Sequence, residues 1–116
     1  DDYRVQGRDE SSAQTILNNA LLLESLGVGV LVLECIPSDL AKTISEKLTI
    51  PTIGIGAGVH CDGQVLVSYD MLGITTGKQP RFVRNFLSNQ ISISDAVESF
   101  VAEVKEGTFP SQSESY

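Results

Sequence analysis

The amino-acid sequence predicts an α/β fold built on parallel strands. Short apolar runs alternate with amphipathic helical stretches roughly every ten to fifteen residues, the pattern of right-handed βαβ units. The run Val28–Leu33 is apolar on both faces, as a strand covered on both sides of a parallel sheet must be.

The elements follow in chain order. Residues 1–10 are polar, carry Gly7 and read as a loop. A helix is expected from Ser11 or Ser12, because Ala13, Ile16, Leu17, Ala20, Leu21 and Leu23 recur at helical spacing. Gly27 closes it in the left-handed region, and Leu22 and Leu26 lie off the main face. The first strand spans Val28–Glu34. Pro37–Ser38 opens a second helix with Leu40, Ala41, Ile44 and Leu48 on one side. Pro51 introduces the second strand, "TIGIGAG"; Asp62–Gly63 is a turn, and "QVLVS" (64–68) a third strand. "ITTGKQP" reads as a loop and Phe82–Leu87 as a short helix. The last helix carries Ser92 as N-cap, Asp95 in a capping-box position and Ile91 placed to staple onto Ala96. Ile93, Val97, Phe100, Val101 and Val104 form its apolar face, and Gly107 stops it. Residues 108–116 read as a polar tail, so the expected domain is 1–107.

Composition narrows the function. Of 116 residues 41% are apolar, enough for a core, and the net charge is −7. No basic run exceeds a pair, so the footprint of a nucleic-acid or anionic-membrane binder is missing. Cys35 and Cys61 stand far apart without C-x-x-C spacing, which suits free thiols in a reducing compartment. The expected location is the cytoplasm, or an organelle in a eukaryote. The first residue is not Met, consistent with a processed or truncated end.

Chemistry in parallel α/β folds sits at strand carboxyl ends. Glu34 ends the first strand and shares a side with Val32, Val30 and Val28, whereas Leu31 and Leu33 face the other way. A carboxylate topping that column is placed for a general base; a solvated or helix-capping glutamate is the plainer alternative, and both stay open on these residues alone. Gly54 and Gly56, on one side of the second strand, would remove side chains where a substrate or a backbone approaches closely. The glycines are not a dinucleotide fingerprint, since "VHCDGQ" follows them instead of a helix with a third glycine in phase. Asp70 reads as a ligand or, better, a cap. His60, Cys61 and Asp62 are too adjacent to converge on one metal ion. Cys35 lacks an evident base and reads as a buried thiol.

Several motifs in order, "YRVQGR" (3–8), "LVLECIP" (31–37), "IPTIGIGAG" (50–58), "CDGQVLVSYDMLG" (61–73) and "PRFVRNF" (80–86), together resemble ketopantoate hydroxymethyltransferases, enzymes of pantothenate synthesis. The likeness runs nearly end to end; Asp1 and Asp2 depart from the glycines expected there. It implies the C-terminal portion of a (β/α)8 barrel, about three strand–helix units plus the terminal helices. Such barrels need about 250 residues. The resemblance implies Glu34 as catalytic base, removing a proton from C3 of 3-methyl-2-oxobutanoate before one-carbon transfer from 5,10-methylenetetrahydrofolate. It places the Mg2+ ligands and the keto-acid-gripping side chains in the N-terminal half, so no metal ligand is expected here and the chain alone should be inactive. It also implies a homo-oligomer, in which Ile93, Val97, Phe100 and Val101 would serve a neighbour, or a complementing N-terminal half. A catalytically silent association module and a small anion-binding module using 54–58 are the alternatives.

Overall fold

The computed structural model describes residues 4–116; the expectations for Asp1, Asp2 and Tyr3 lie outside the described residues. Helix α1 (Glu10–Ser25) leads into strand β1 (Leu31–Glu34), helix α2 (Ser38–Lys47) and strand β2 (Thr52–Ile55). Strand β3 (Gly63–Gln64), a short helix α3 (Ser68–Met71), helix α4 (Ile93–Glu106) and a 3-10 turn over Gln112–Glu114 complete the chain. The strands form one sheet in the order β1-β2-β3, and both pairings are parallel.

Each helix begins where the sequence supplies a cap. Asp9, not Ser11 or Ser12, starts α1, because its carboxylate accepts the Ser12 amide at 2.9 Å. At the other end the Val28 amide donates back to the Leu23 carbonyl at 3.2 Å, so residues 28–30 belong to the helix exit. Strand pairing therefore starts at Leu31, three residues later than the apolar run suggested. In α4 the Ser92–Asp95 capping box forms as expected, and Gly107 ends the helix in the left-handed region at φ 70°. Ile91 is fully exposed and makes no staple.

Two apolar clusters hold the chain. Leu17 and Ala20 of α1, Leu33 and Ile36, and Ala41, Ile44 and Leu48 pack one face of the sheet under α1 and α2. The second cluster joins Cys35, Leu66, Met71, Phe82, Phe86, Ala96 and Phe109. Within it Phe86, Phe100 and Phe109 meet edge to face with centroids 5.2–5.7 Å apart, each pair contributing about 1 kcal/mol beyond its area.

This second cluster overturns three local expectations. The segment 82–87 is not helical: the Phe86 amide, which a helix would commit to Phe82, donates instead to the Met71 carbonyl at 2.8 Å. The third strand shrinks to Gly63–Gln64, with Gly63 inside it and not in a turn, and the chain swings into α3 at Ser68. Residues 108–116 are no tail. Phe109 is buried, and the Arg84 guanidinium binds Glu114 (2.6 Å) and Glu103 while lying over the Phe86 and Phe109 rings. The boundary at 107 therefore does not separate folded from unfolded chain.

Candidate active site

Parallel register decides which side chains share a face. Val32 lies beside Ile53 and Glu34 beside Ile55, while Leu31 and Leu33 lie beside Thr52 and Gly54. The Leu side is the helix side: Leu33 is in the core, and the Thr52 hydroxyl bonds Ser45 of α2 at 2.7 Å. The opposite face is open. Val32 of β1 is 57% exposed there and Glu34 tops it, while Val30, just before β1, and Val65 and Val67, just after β3, are exposed as well. Four exposed valines around an open sheet face, rimmed by a carboxylate, are out of place on a finished surface.

Glu34 sits at the carboxyl end of β1, the end from which parallel folds act. Among the described residues its carboxylate makes no hydrogen bond and no ion pair, leaving it free to accept a proton. It edges a cleft of about 490 Å3 whose other walls include Gln6, Thr15, Ile16 and Val32. The Gln6 amide donates to the Cys35 carbonyl at 2.9 Å and so draws the 4–9 loop over the end of β1. The placement of that loop was not legible beforehand, since nothing in "RVQGR" signals a partner 29 positions on.

The glycine expectation is corrected in its geometry. Gly54 pairs with Leu33 on the helix side, away from Glu34, where a Cβ would lie 3.0 Å from Cys61 Sγ and Gln64 Oε1. Gly56 has φ 64°, and a Cβ there would lie 2.7 Å from the Phe82 ring. Both serve close packing. The glycine on the open face is Gly63, where a Cβ would come within 3.0 Å of Ile53.

The remaining candidates separate. Cys35 is buried with φ 50°; burial first, and the Glu34 charge second, push its thiol above the ordinary value. Cys61 is also pushed up by burial, against the Ser45 and Thr52 hydroxyls that lower it. Asp70 lies within α3, does not cap it, and accepts the Thr75 hydroxyl at 2.6 Å. Asp62 accepts both the Thr52 amide, at 2.8 Å, and its hydroxyl, tying the start of β2 to β3. Among the described residues no three of His, Cys, Asp and Glu converge as metal ligands. Nor, among them, is any helix long and apolar enough to cross a membrane.

A parallel sheet backed by helices on one face, open on the other and carrying a free carboxylate at a strand's carboxyl end, defines a piece of an α/β protein of the kind that acts at strand ends. Comparison with known proteins makes that class specific. The chain belongs to the ketopantoate hydroxymethyltransferase family, whose profile matches residues 1–112. It is 57% identical over 114 residues to the 3-methyl-2-oxobutanoate hydroxymethyltransferase of Ruthia magnifica, a match covering 98% of this chain and 44% of that protein. The Vesicomyosocius okutanii enzyme of the same name is 55% identical over 116 residues, covering all of this chain and 45% of that protein. A probable 3-methyl-2-oxobutanoate hydroxymethyltransferase of Schizosaccharomyces pombe is 48% identical over 114 residues, 98% of this chain and 43% of that protein. The chain thus spans less than half the length of the curated relatives it matches.

Proposed function

We propose that this chain is the C-terminal portion of a (β/α)8 barrel that makes 2-dehydropantoate, and that Glu34 is its proton acceptor. The observation that carries this reading is the open sheet face: Val32 stands exposed there with Glu34 above it, and Val30, Val65 and Val67, at the adjoining strand ends, are exposed where a closed barrel would bury them. Further strands from the rest of the barrel would pair with the free edges of β1 and β3 and enclose the valines. The Glu34 carboxylate would then take the proton from C3 of 3-methyl-2-oxobutanoate. The resulting carbon nucleophile bonds to the one-carbon unit of 5,10-methylenetetrahydrofolate, and both C–N bonds to that carbon break. Water supplies the hydroxyl of the new hydroxymethyl group, and tetrahydrofolate leaves carrying the proton from C3 and the second proton of the water. On this reading the Mg2+ ligands lie in the remainder of the barrel. The soluble, cytoplasmic setting of a metabolic enzyme goes with this reading.

The test is complementation. Combined with a polypeptide supplying the remainder of the barrel, the chain should support keto acid-dependent consumption of methylenetetrahydrofolate, and Glu34→Gln should abolish it. Turnover by the purified chain alone, or full activity of the variant, would overturn the proposal.

A second reading is favoured by one observation. Ile93, Val97 and Val101 of α4 recur at helical spacing and are all exposed, whereas Phe100 and Val104 turn into the second cluster. We therefore also propose that this stripe meets another copy of the protein in a homo-oligomer, the assembly role that a silent fragment would retain. Sedimentation should show self-association that Val97→Asp and Val101→Asp together abolish; a monomer throughout would eliminate it.

A further inference from the structure

We propose that Cys35 is a positioning residue for Glu34: a left-handed turn of its backbone ends the strand so that the Glu34 carboxylate is the last side chain on the open face. The inference rests on the proton transfer proposed above, and it names what aims the base. Among the described residues Cys35 is the one non-glycine residue at positive φ, 50°. A residue with a Cβ enters that region at a cost, and such strain persists where surrounding contacts over-determine it. Three contacts do so here. The Cys35 amide donates to the Ile55 carbonyl at 3.0 Å, and the Cys35 carbonyl accepts the Gln6 amide at 2.9 Å. The thiol is buried in the cluster of Leu66, Met71 and Phe82.

The turn decides which residue follows Glu34 on its face. Had the strand continued, its period of two would set Ile36 on the side of Val32 and Glu34, beyond the carboxylate. Ile36 instead packs in the cluster of Leu33 and Ile44 on the helix side and is 4% exposed. The alternation breaks at Cys35, so no apolar side chain stands past Glu34 on the open face. The neighbouring strand turns at the same level. Glu34 pairs with Ile55, and the next residue of each strand, Cys35 or Gly56, is left-handed, with φ 50° and 64°. On β2 that position is glycine, to which the region is freely open. On β1 it keeps a small apolar side chain despite the strain, and burial of that side chain in the second cluster locks the turn.

The experiment orders variants by how well their backbone accepts the turn. In the complemented barrel, Cys35→Gly and Cys35→Ala should hold kcat near the parent value, because neither adds bulk at Cβ. Cys35→Val, whose branched side chain resists positive φ, should lower kcat about a hundredfold with KM little changed, the cost of displacing a catalytic group by about 1 Å. Parental kcat in Cys35→Val, or loss in Cys35→Gly as deep as in Glu34→Gln, would overturn the proposal. NMR of the 116-residue chain reads the turn without turnover. The Ile36 methyls should keep their contacts with the Leu33 and Ile44 cluster in Cys35→Gly and lose them in Cys35→Val, where the Gln6 amide should also exchange faster. Unaltered Ile36 contacts in Cys35→Val would overturn the turn's role too. Where Cys35→Val does not fold, Cys35→Gly decides: retained Ile36 contacts and kcat support the proposal, and loss of either overturns it. If Ile36 behaves as expected while Glu34→Gln keeps full activity, the reaction reading fails and the turn stands as the feature that clears the strand end.

Discussion

The amide of Gln6 donates to the carbonyl of Cys35 at 2.9 Å, and through that one bond the 4–9 loop is held over the strand end that carries Glu34. The bond is made by backbone, so it survives side-chain substitution at either residue. It places the wall of the cleft and the candidate base in a fixed relation, which is what preorganised proton transfer requires.

Glu34→Gln separates chemistry from folding. A general base is worth about 10²–10⁴ in rate, so the complemented barrel should lose activity on that scale. Glu34 is exposed and makes no bond among the described residues, so stability should change by less than about 0.5 kcal/mol. A rate assay and a urea melt on the same preparation check both halves; a large loss of stability would reassign Glu34 to structure.

Arg84 should behave in the opposite way. It binds Glu103 and Glu114 and lies 5.1 and 4.9 Å from the Phe86 and Phe109 ring centroids. Replacing it with Met should destabilise the chain by about 2 kcal/mol and loosen residues 108–116, seen as earlier proteolysis there. The acid limb gives an independent reading. Burial alone would raise Glu114, but the Arg84 guanidinium and the Ser111 amide and hydroxyl outweigh it and hold the carboxyl below its ordinary 4.5. A depressed folded value means stability that is present above pH 4.5 and lost as pH falls through the folded value. Arg84→Met should flatten that loss in melts taken between neutral and acid pH.

Local signals in the sequence carried the helices and the strand faces, because capping residues and period-two alternation act within a few positions. Ser92–Asp95, Gly107 and the split of Leu33 from Val32 and Glu34 were all legible in that way. What escaped was set by distant partners. Phe86 leaves helical bonding because Met71 offers a carbonyl, and the 108–116 segment docks because Arg84 and the phenylalanines receive it. The side taken by Gly54 follows from its register with Leu33, a relation between strands that no reading of β2 alone supplies. Glu34 was legible as a strand-end carboxylate; the contact of Arg81 with the Tyr116 ring was not, since the two lie far apart along the chain.

Gly56→Ala tests whether that glycine serves packing. The backbone sits at φ 64°, and the added methyl would lie 2.7 Å from the Phe82 ring. Left-handed strain of about 1–2 kcal/mol plus overpacking of similar size predicts a loss of about 2–4 kcal/mol. Thermal melts of the chain alone would show it. An unchanged melting temperature would return Gly56 to the list of residues kept open for a ligand.

Cys35 links the core to the candidate base, and its thiol reports on both. Burial is the larger cause that raises it above the ordinary 9.0, and the charge of Glu34 is the second. The folded chain should therefore react with a disulfide reagent at Cys35 only at higher pH than the unfolded chain does, with Cys61→Ser used to isolate the signal. Glu34→Gln removes the second cause and leaves the first, so the onset of modification should move down in pH without reaching that of the unfolded chain. A raised folded value also means stability that is present below pH 9.0 and lost as pH rises toward the folded value, because the unfolded thiol ionises first. Alkaline melts should accordingly steepen in the parent chain and flatten in Cys35→Ala. If Cys35 instead reacts at neutral pH as fast as an unfolded thiol, the strand end is open to solvent and the fixed relation between Gln6, Cys35 and Glu34 is lost.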